Sequence, residues 1–348
     1  MKILCFILVL SCIALTGDCQ EAKRDSILNA VSQYTQAANS AAETFLNRQL
    51  PEETRLKAIA PYPVVYNERY IEQFKRTVLS NEESSQIRSM ALNKIYQQVE
   101  SDENLFQQVL QWFENPETPQ VLRDETLNLI GNLAYSSFAG GVEPYKRMMR
   151  DPDLRFRSFA FSKLLVNGDA QAQQILIRGL EDPQSQLFET SMAIELLALS
   201  PKKEFYPAVY RILQETKDEA ARLSALQTLG PYREARQKII SISRDAAEKE
   251  EFRTAALMAL YSGDKENIVA YVTPILQDRS ASENLQMLSI QMATDVRKAM
   301  SYRRSRKASK ADAFDILIKD ISEGRGVTDS REVRQIANRY LLLVRPPF

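Results

Sequence analysis

Arginine supplies the chemistry that recurs most regularly along this chain. Arg88, Arg123, Arg157, Arg222, Arg253 and Arg334 stand in one column, with Glu189 and Gln286 at the two positions where the Arg is replaced. Successive gaps are 35, 34, 32, 33, 31, 33 and 48 residues. A guanidinium presents five N–H donors in a planar fork, so a row of them can line a groove for phosphates or clasp carboxylates bidentately. Acids stand ready for the second use: Asp151, Asp182, Asp218, Asp245, Asp278 and Asp329 lie near the turns between copies. The spacing predicts an inter-repeat ladder, each Arg paired with the turn acid of a neighbouring copy.

A second basic feature is local. Arg297, Lys298, Arg303, Arg304, Arg306, Lys307 and Lys310 place seven bases in residues 297–310 without one acid, inside the irregular 48-residue gap. They read as a basic loop inserted near 295–311, and insertions within one repeat often carry binding surfaces. The whole chain balances 45 Lys and Arg against 45 Asp and Glu. Without residues 1–19 the balance is 44 to 44, so the body outside this loop carries 37 bases and 44 acids. Either the loop is solvated and has no partner, or it meets an acidic protein, anionic lipid head groups or nucleic acid. Tyr302 is its one aromatic, which leaves a stacking platform for single strands unsupported.

Other chemistries are closed. The 348 residues contain no His, and the three Cys are Cys5, Cys12 and Cys19. The body therefore has no disulfide framework, no thiolate or imidazole metal ligand, and no nucleophile activated by histidine. No Gly-x-Ser-x-Gly elbow or Gly-rich phosphate loop occurs. Ser200-Pro201-Lys202-Lys203 matches Ser-x-x-Lys but lies between helical patterns, without its companion motifs. Glu52-Glu53, Glu82-Glu83 and Glu250-Glu251 are adjacent in sequence and do not face one another on a helix. Phe106, Trp112 and Phe113 have the spacing of core residues. No enzyme, cofactor or metal is expected.

The elements that must position these residues are helices. Only 10 Gly and 14 Pro punctuate the chain, and no stretch sustains strand alternation. The clearest copy reads Asp151-Pro152-Asp153-Leu154-Arg155-Phe156-Arg157-Ser158-Phe159-Ala160, between a helix near 143–150 and one over 155–166. Asp-Pro ends the first helix and opens the second, because Pro fits a helix's first turn and not its interior. Asn115-Pro116 and Asp182-Pro183 repeat the punctuation.

Before the repeats, residues 1–19 read as an export signal. Lys2 precedes an apolar stretch over 3–15, too short to span a bilayer, which takes about 20 residues. Cys12, after Val9-Leu10-Ser11, and Cys19 leave a lipid anchor as the alternative to cleavage. Residues 20–64 read as an N-terminal capping helix, with the stripe Ile27, Val31, Tyr34, Ala38, Ala41 and Phe45, followed by a linker over 51–63. Residues 65–348 hold the repeats.

The pattern Asp-Pro-x-x-x-(apolar)-Arg-x-x-Ala-x-x-x-Leu resembles the HEAT-repeat family, and the 31–35-residue period is similar to its phycobilisome-lyase-like branch. The resemblance covers about 65–345. Copies depart from it at Asn81-Glu82 and Asp245-Ala246, and at Glu189 and Gln286 in the column. It implies an all-α, right-handed α-solenoid of about eight helix pairs, each packing on its neighbours. HEAT-like hydroxylases rely on His-Glu pairs, which this chain cannot make. HEAT-like DNA glycosylases use a basic concave face, at odds with export and neutral charge. The expectation is an extracytoplasmic, periplasmic or secreted scaffold that binds a protein partner, with no nucleic acid and no membrane contact beyond a lipid anchor. The alternative is a HEAT-like enzyme or a carrier of a small anionic ligand.

Overall fold

The computed structural model describes residues 21–65, 67–99, 101–132, 141–303, 312–326 and 328–344. Residues 1–19, expected as an export signal, the bases Arg304, Arg306, Lys307 and Lys310, and the last four residues lie outside these. Among the described residues there are 19 α-helices and no strand, in two compact units, residues 1–157 and 158–348.

The first unit holds α1 (Glu21–Leu46), α2 (Glu52–Ile59), α3 (Glu68–Leu79), α4 (Ser85–Lys94), the single turn α5 (Tyr96–Val99), α6 (Glu103–Glu114), α7 (Gln120–Asn132) and α8 (Glu143–Met148). Helix α9 (Leu154–Val166) runs across the boundary. The second unit continues with α10 (Ala170–Glu181), α11 (Thr190–Ala198), α12 (Tyr206–Glu215), α13 (Glu219–Thr228), α14 (Arg236–Arg244), α15 (Glu250–Gly263), α16 (Ile268–Gln277), α17 (Glu283–Arg303), α18 (Ala313–Ser322) and α19 (Arg331–Val344).

Apart from α5, the helices form nine successive pairs, and one local device makes the turn inside every pair. A side-chain oxygen accepts the backbone N–H two residues on, at Asn47, Ser80, Asn115, Asp151, Asp182, Thr216, Asp245, Asp278 and Thr328, over 2.8–3.3 Å. Short polar side chains do this because their oxygen reaches the backbone without help from tertiary structure. Helix starts use the same chemistry: Asn67, Ser84, Asp102, Asp169, Asp218 and Asp312 cap α3, α4, α6, α10, α13 and α18.

Residues 51–63, expected as a linker, contain α2 with Arg55 and Ile59 buried, so α1 and α2 are the first pair of nine. The expected stripe on α1 is buried only in its second half. Ala41 and Phe45 are enclosed, whereas Val31 and Tyr34 are exposed. After Asp182 the chain makes a short turn, Pro183–Ser185, and α11 begins only at Thr190.

Packing is layered within each unit. First helices touch first helices of the adjacent pair, as α1 touches α3 and α3 touches α6, and second helices touch second helices, as α2–α4–α7 and α11–α13–α15–α17 do. Buried aromatics fill the seams: Phe45 stacks on Phe74 at 4.9 Å, and Phe161 meets Phe188 edge-on at 5.1 Å.

The column arginines point into these seams. Arg55, Arg88 and Arg253 each donate Nε to a carbonyl ten residues earlier, that of Phe45, Val78 and Ser243, and Arg123 does so through Nη2 to Phe113. Those carbonyls end the first helix of the same pair, where they have no intrahelical partner and the helix dipole is negative. The other arm of the fork reaches the next turn. Arg55 meets Glu83 at 2.8 and 2.9 Å, Arg123 meets Asp151 at 2.5 Å, Arg253 meets Asp278 at 3.2 Å, and Arg222 meets Glu248. Arg88 faces no acid in the next turn and stacks over Trp112 at 4.6 Å. Arg157 and Arg334 bind carbonyls of their own turns, Asp151 and Asp329. The expected ladder is therefore real in four steps. Arg55, which had not been placed in the column, belongs to it through Glu83, and Glu248 serves Arg222 where Asp245 had been expected. Asp182, Asp218 and Asp245 only shape their own turns or helix starts.

One close approach needs glycine. A Cβ on Gly263, at the end of α15, would stand 1.7 Å from the carbonyl oxygen of Gly230, and one on Gly230 would stand 2.5 Å from that of Ala259. Gly→Ala at a helical position ordinarily stabilises by about 0.5–1 kcal/mol. Gly263→Ala should instead destabilise, by about 1–3 kcal/mol, because two backbones must separate. Urea unfolding gives the sign.

Arg123 is 2% exposed and Asp151 6%. Truncating one member of such a pair leaves a buried charge, so Arg123→Ala should cost about 3–5 kcal/mol. The double variant Arg123→Met/Asp151→Asn, which keeps the turn's acceptor, should recover most of that loss. A third outcome concerns pH. Arg55, and Arg48 beside it, hold the Glu83 carboxyl below its ordinary value of 4.5 against the opposing effect of burial. The folded state thus binds fewer protons than the unfolded one, and this stability is complete above about pH 4.5 and drains away as pH falls below it. Glu83→Gln should flatten the part of the urea-midpoint profile that falls below about pH 4.5.

Candidate functional site

Because the ladder arginines are turned inward, the open face of the second helices is left to other residues. In the first unit a groove of about 470 Å³ crosses α2, α4 and α7. Counted from the column Arg of each helix, it is lined by Leu56 and Ala60 at +1 and +5 and by Val121 and Glu125 at −2 and +2. The middle helix contributes Gln86, Ser89, Met90, Asn93 and Lys94 at −2, +1, +2, +5 and +6. Spacings of three, four and seven put these residues on one helical face.

The second unit repeats the arrangement across α13, α15 and α17, in a groove of about 820 Å³. Leu223 and Gln227 stand at +1 and +5, and Asn284 at −2. Glu251, Thr254, Ala255, Met258 and Ala259 stand at −2, +1, +2, +5 and +6 of Arg253, the offsets used in the first groove. Two independent units thus offer the same face with different chemistry. The second groove carries exposed Glu250 and Glu251 and an exposed Met258. The first carries a cation at its floor.

That cation is Lys94, 4% exposed. Its ammonium meets the Ala60 carbonyl at 3.5 Å, the outer limit of a hydrogen bond. Glu125 is engaged by Asn93, whose Nδ2 donates to it at 2.9 Å. Burial pushes the Lys94 amine below its ordinary 10.5, with Glu125 opposing weakly. In the second unit the cross-helix contact differs: Ser224 at +2 donates to Glu195 at +6 of the preceding column position.

Of the seven bases expected as a binding loop, Arg297 and Lys298 have described side chains. Residues 295–303 continue α17 as helix and are not a loop: they lack Gly and Pro, and Val296 is buried in the packing of that helix. Arg297 is half-buried, ion-paired to Asp312 at 2.5 Å and close to the Phe314 ring at 5.9 Å. Asp312 caps α18 in a reciprocal capping box with Asp315, which also accepts the buried Tyr340 hydroxyl at 2.7 Å. Lys298 is exposed, and Arg303 is the last residue of α17.

The remaining candidates resolve as structure. Phe106 and Phe113 are core, and half-buried Trp112 carries Arg88. Lys203 donates to the Ser200 carbonyl at 2.7 Å, not to its hydroxyl, and Ser200 is buried. Among the described residues no group of three or more potential metal ligands occurs, and no helix is long and apolar enough to cross a membrane.

Sequence reading missed Lys94 and Glu125. A signal was present for the first: Ile87, Ala91 and Lys94 share the buried stripe of α4, so an ammonium stands where the pattern asks for an apolar residue. The chain matches no protein-family model, no curated protein and no solved structure.

Proposed function

We propose that the protein is an exported, non-enzymatic scaffold or adaptor whose helix pairs stack as a right-handed α-solenoid of the HEAT-repeat kind and which binds another protein through the face of its second helices. The observation that carries this is the equivalence of the two grooves: the same offsets from the column Arg line both, one in each unit. A surface repeated in register suits an extended partner, because each second helix adds one more strip of the same width. The inward ladder supports it by holding those strips at constant spacing without occupying them. Export rests on the apolar stretch 3–15, and the bases around 297–310 are an accessory contact for an acidic region of the partner.

Photo-crosslinking residues placed at Gln86 and Met258, on second helices, should give discrete adducts in the native envelope or secreted fraction. The same group at exposed Gln107 and Gln174, on first helices, should give none. Met258→Asp should weaken capture of the adduct partner at least about tenfold, as loss of an apolar anchor does, with an unchanged thermal midpoint. Equal crosslinking from Gln107 and Gln174 refutes the second-helix face as the binding surface.

A further inference from the structure

The first groove holds a group that the packing does not require. Lys94 lies on the buried stripe of α4, where its stem packs like an aliphatic residue, yet its ammonium brings three N–H donors to a floor that supplies one acceptor at 3.5 Å. Among the described residues no carboxylate forms an ion pair with it. A buried ammonium so weakly partnered destabilises the fold, because its hydration is lost and little replaces it. The equivalent position of the second groove shows that the repeat does not demand it: Ala259 stands there, buried, with the helices on either side packed in the same order.

The rest of the groove says what the ammonium could receive. Leu56, Met90 and Val121 provide apolar walls, and Gln86 and Ser89 lie between them as hydrogen-bonding groups. Glu125, the one acid in the lining, is turned to Asn93. The volume, about 470 Å³, suits a small organic molecule and not a folded element. We propose that this groove is a ligand site for a carboxylate carried on a short apolar stem, with Lys94 binding the carboxylate and Leu56, Met90 and Val121 enclosing the stem. A carboxylate gives the ammonium the charged acceptor that the protein withholds, and a charge-assisted hydrogen bond in a desolvated site is among the stronger polar contacts. A phosphate or sulfate fits less well: it asks for several charged donors at once, and Lys94 is the one cation among a Ser, an Asn, a Gln and an acid. The site lies in one groove of the second-helix face on which the proposed function rests, but it is made by α2, α4 and α7 alone, so small probes test it apart from that reading.

Two sources share this chemistry, a free carboxylic acid and the C-terminal carboxylate of a peptide ending in an apolar residue. Calorimetric titration of the intact protein with octanoate and with acetyl-Gly-Leu tests both. At least one should bind saturably, with a Kd on the order of 1 mM or tighter for a ligand of this size. On the unmodified protein, octanol and the dipeptide amide should bind at least about tenfold more weakly than their acids, which needs no mutation and so no assumption about folding. Lys94→Met keeps the stem and removes the charge. It should lose at least about tenfold in affinity for the acid while its thermal midpoint stays level or rises. Glu125→Gln removes the like charge beside the ligand and should tighten binding by about threefold.

Octanoate bound and the dipeptide not identifies a free acid; the reverse identifies a peptide terminus. Either result supports the site. No saturable binding by either acid, equal binding of acid and neutral analogue, unchanged affinity in folded Lys94→Met, or weaker binding by Glu125→Gln overturns it. Failure of the crosslinking experiment on the second helices leaves these readings unaffected, because they are made on small probes and one groove.

Discussion

The structure depends on one reach. A column arginine on a second helix stretches back to the last carbonyls of its own first helix and forward to the acid of the next turn. The first contact answers a need that every helix has, since its final carbonyls lack partners within the helix. The second ties adjacent pairs together. Neither contact is a large net source of stability, because a buried ion pair loses in desolvation most of what it gains in attraction. Burial of residues such as Phe45, Phe74, Phe113, Phe161 and Phe252 supplies the driving force, at about 25 cal/mol per Å² of apolar surface. What the arginine supplies is register. A hydrophobic seam tolerates sliding, whereas a fork bound at both ends to named oxygens does not.

Register explains why the departures from the column are tolerated. Arg88 replaces the acid with the face of Trp112, and Arg123 and Arg222 lie over Phe156 and Phe252 in addition to their acids. A planar cation can satisfy its position through a carboxylate, a carbonyl or a ring. Gln286 donates instead to the Ala281 carbonyl of its own turn, as Arg157 and Arg334 do to theirs. At Glu189, the N-cap of α11, the position is exposed, and the pair is joined instead by the long turn after Asp182. The repeat is thus a set of geometric demands met by several chemistries, which is why single copies are weak in sequence and the array is clear.

The all-helical class, the pairing and the inward ladder were legible because they rest on periodic residues of strong type. The first pair was not, although Arg55 stands 33 residues before Arg88, at the period of the rest. Pro51, Pro61 and Pro63 around it read as linker, and only tertiary burial of Ile59 and the clasp of Arg55 on Glu83 make the short α2 worthwhile. Turns were legible where Asp or Asn precedes Pro and obscure where the same bond is made by Ser80, Thr216 or Thr328, since a hydroxyl has no such punctuation. The basic segment misled in the opposite direction. Charge density over 297–310 suggested a solvated loop, yet residues 295–303 are helical and Arg297 is drawn into the Asp312–Asp315–Tyr340 cluster. Lys94 leaves no trace in composition, and its one signal was its place on the Ile87–Ala91 stripe of α4.

A chain of repeats carries its own control experiment. Where the same offset from the column is occupied by apolar or neutral residues in one unit and by a charge in another, with the neighbouring helices packed in the same order, the backbone cannot be what requires the charge. Ala259 and Lys94 are such a pair. Gly230 and Gly263 are the opposite case, two small residues that a backbone contact demands wherever they stand. Sorting positions this way separates what the fold needs from what it merely permits. The groove faces fall on the permitted side, and Lys94 is there the residue whose physical cost is highest. Costly local choices that the fold does not need are where function is to be sought.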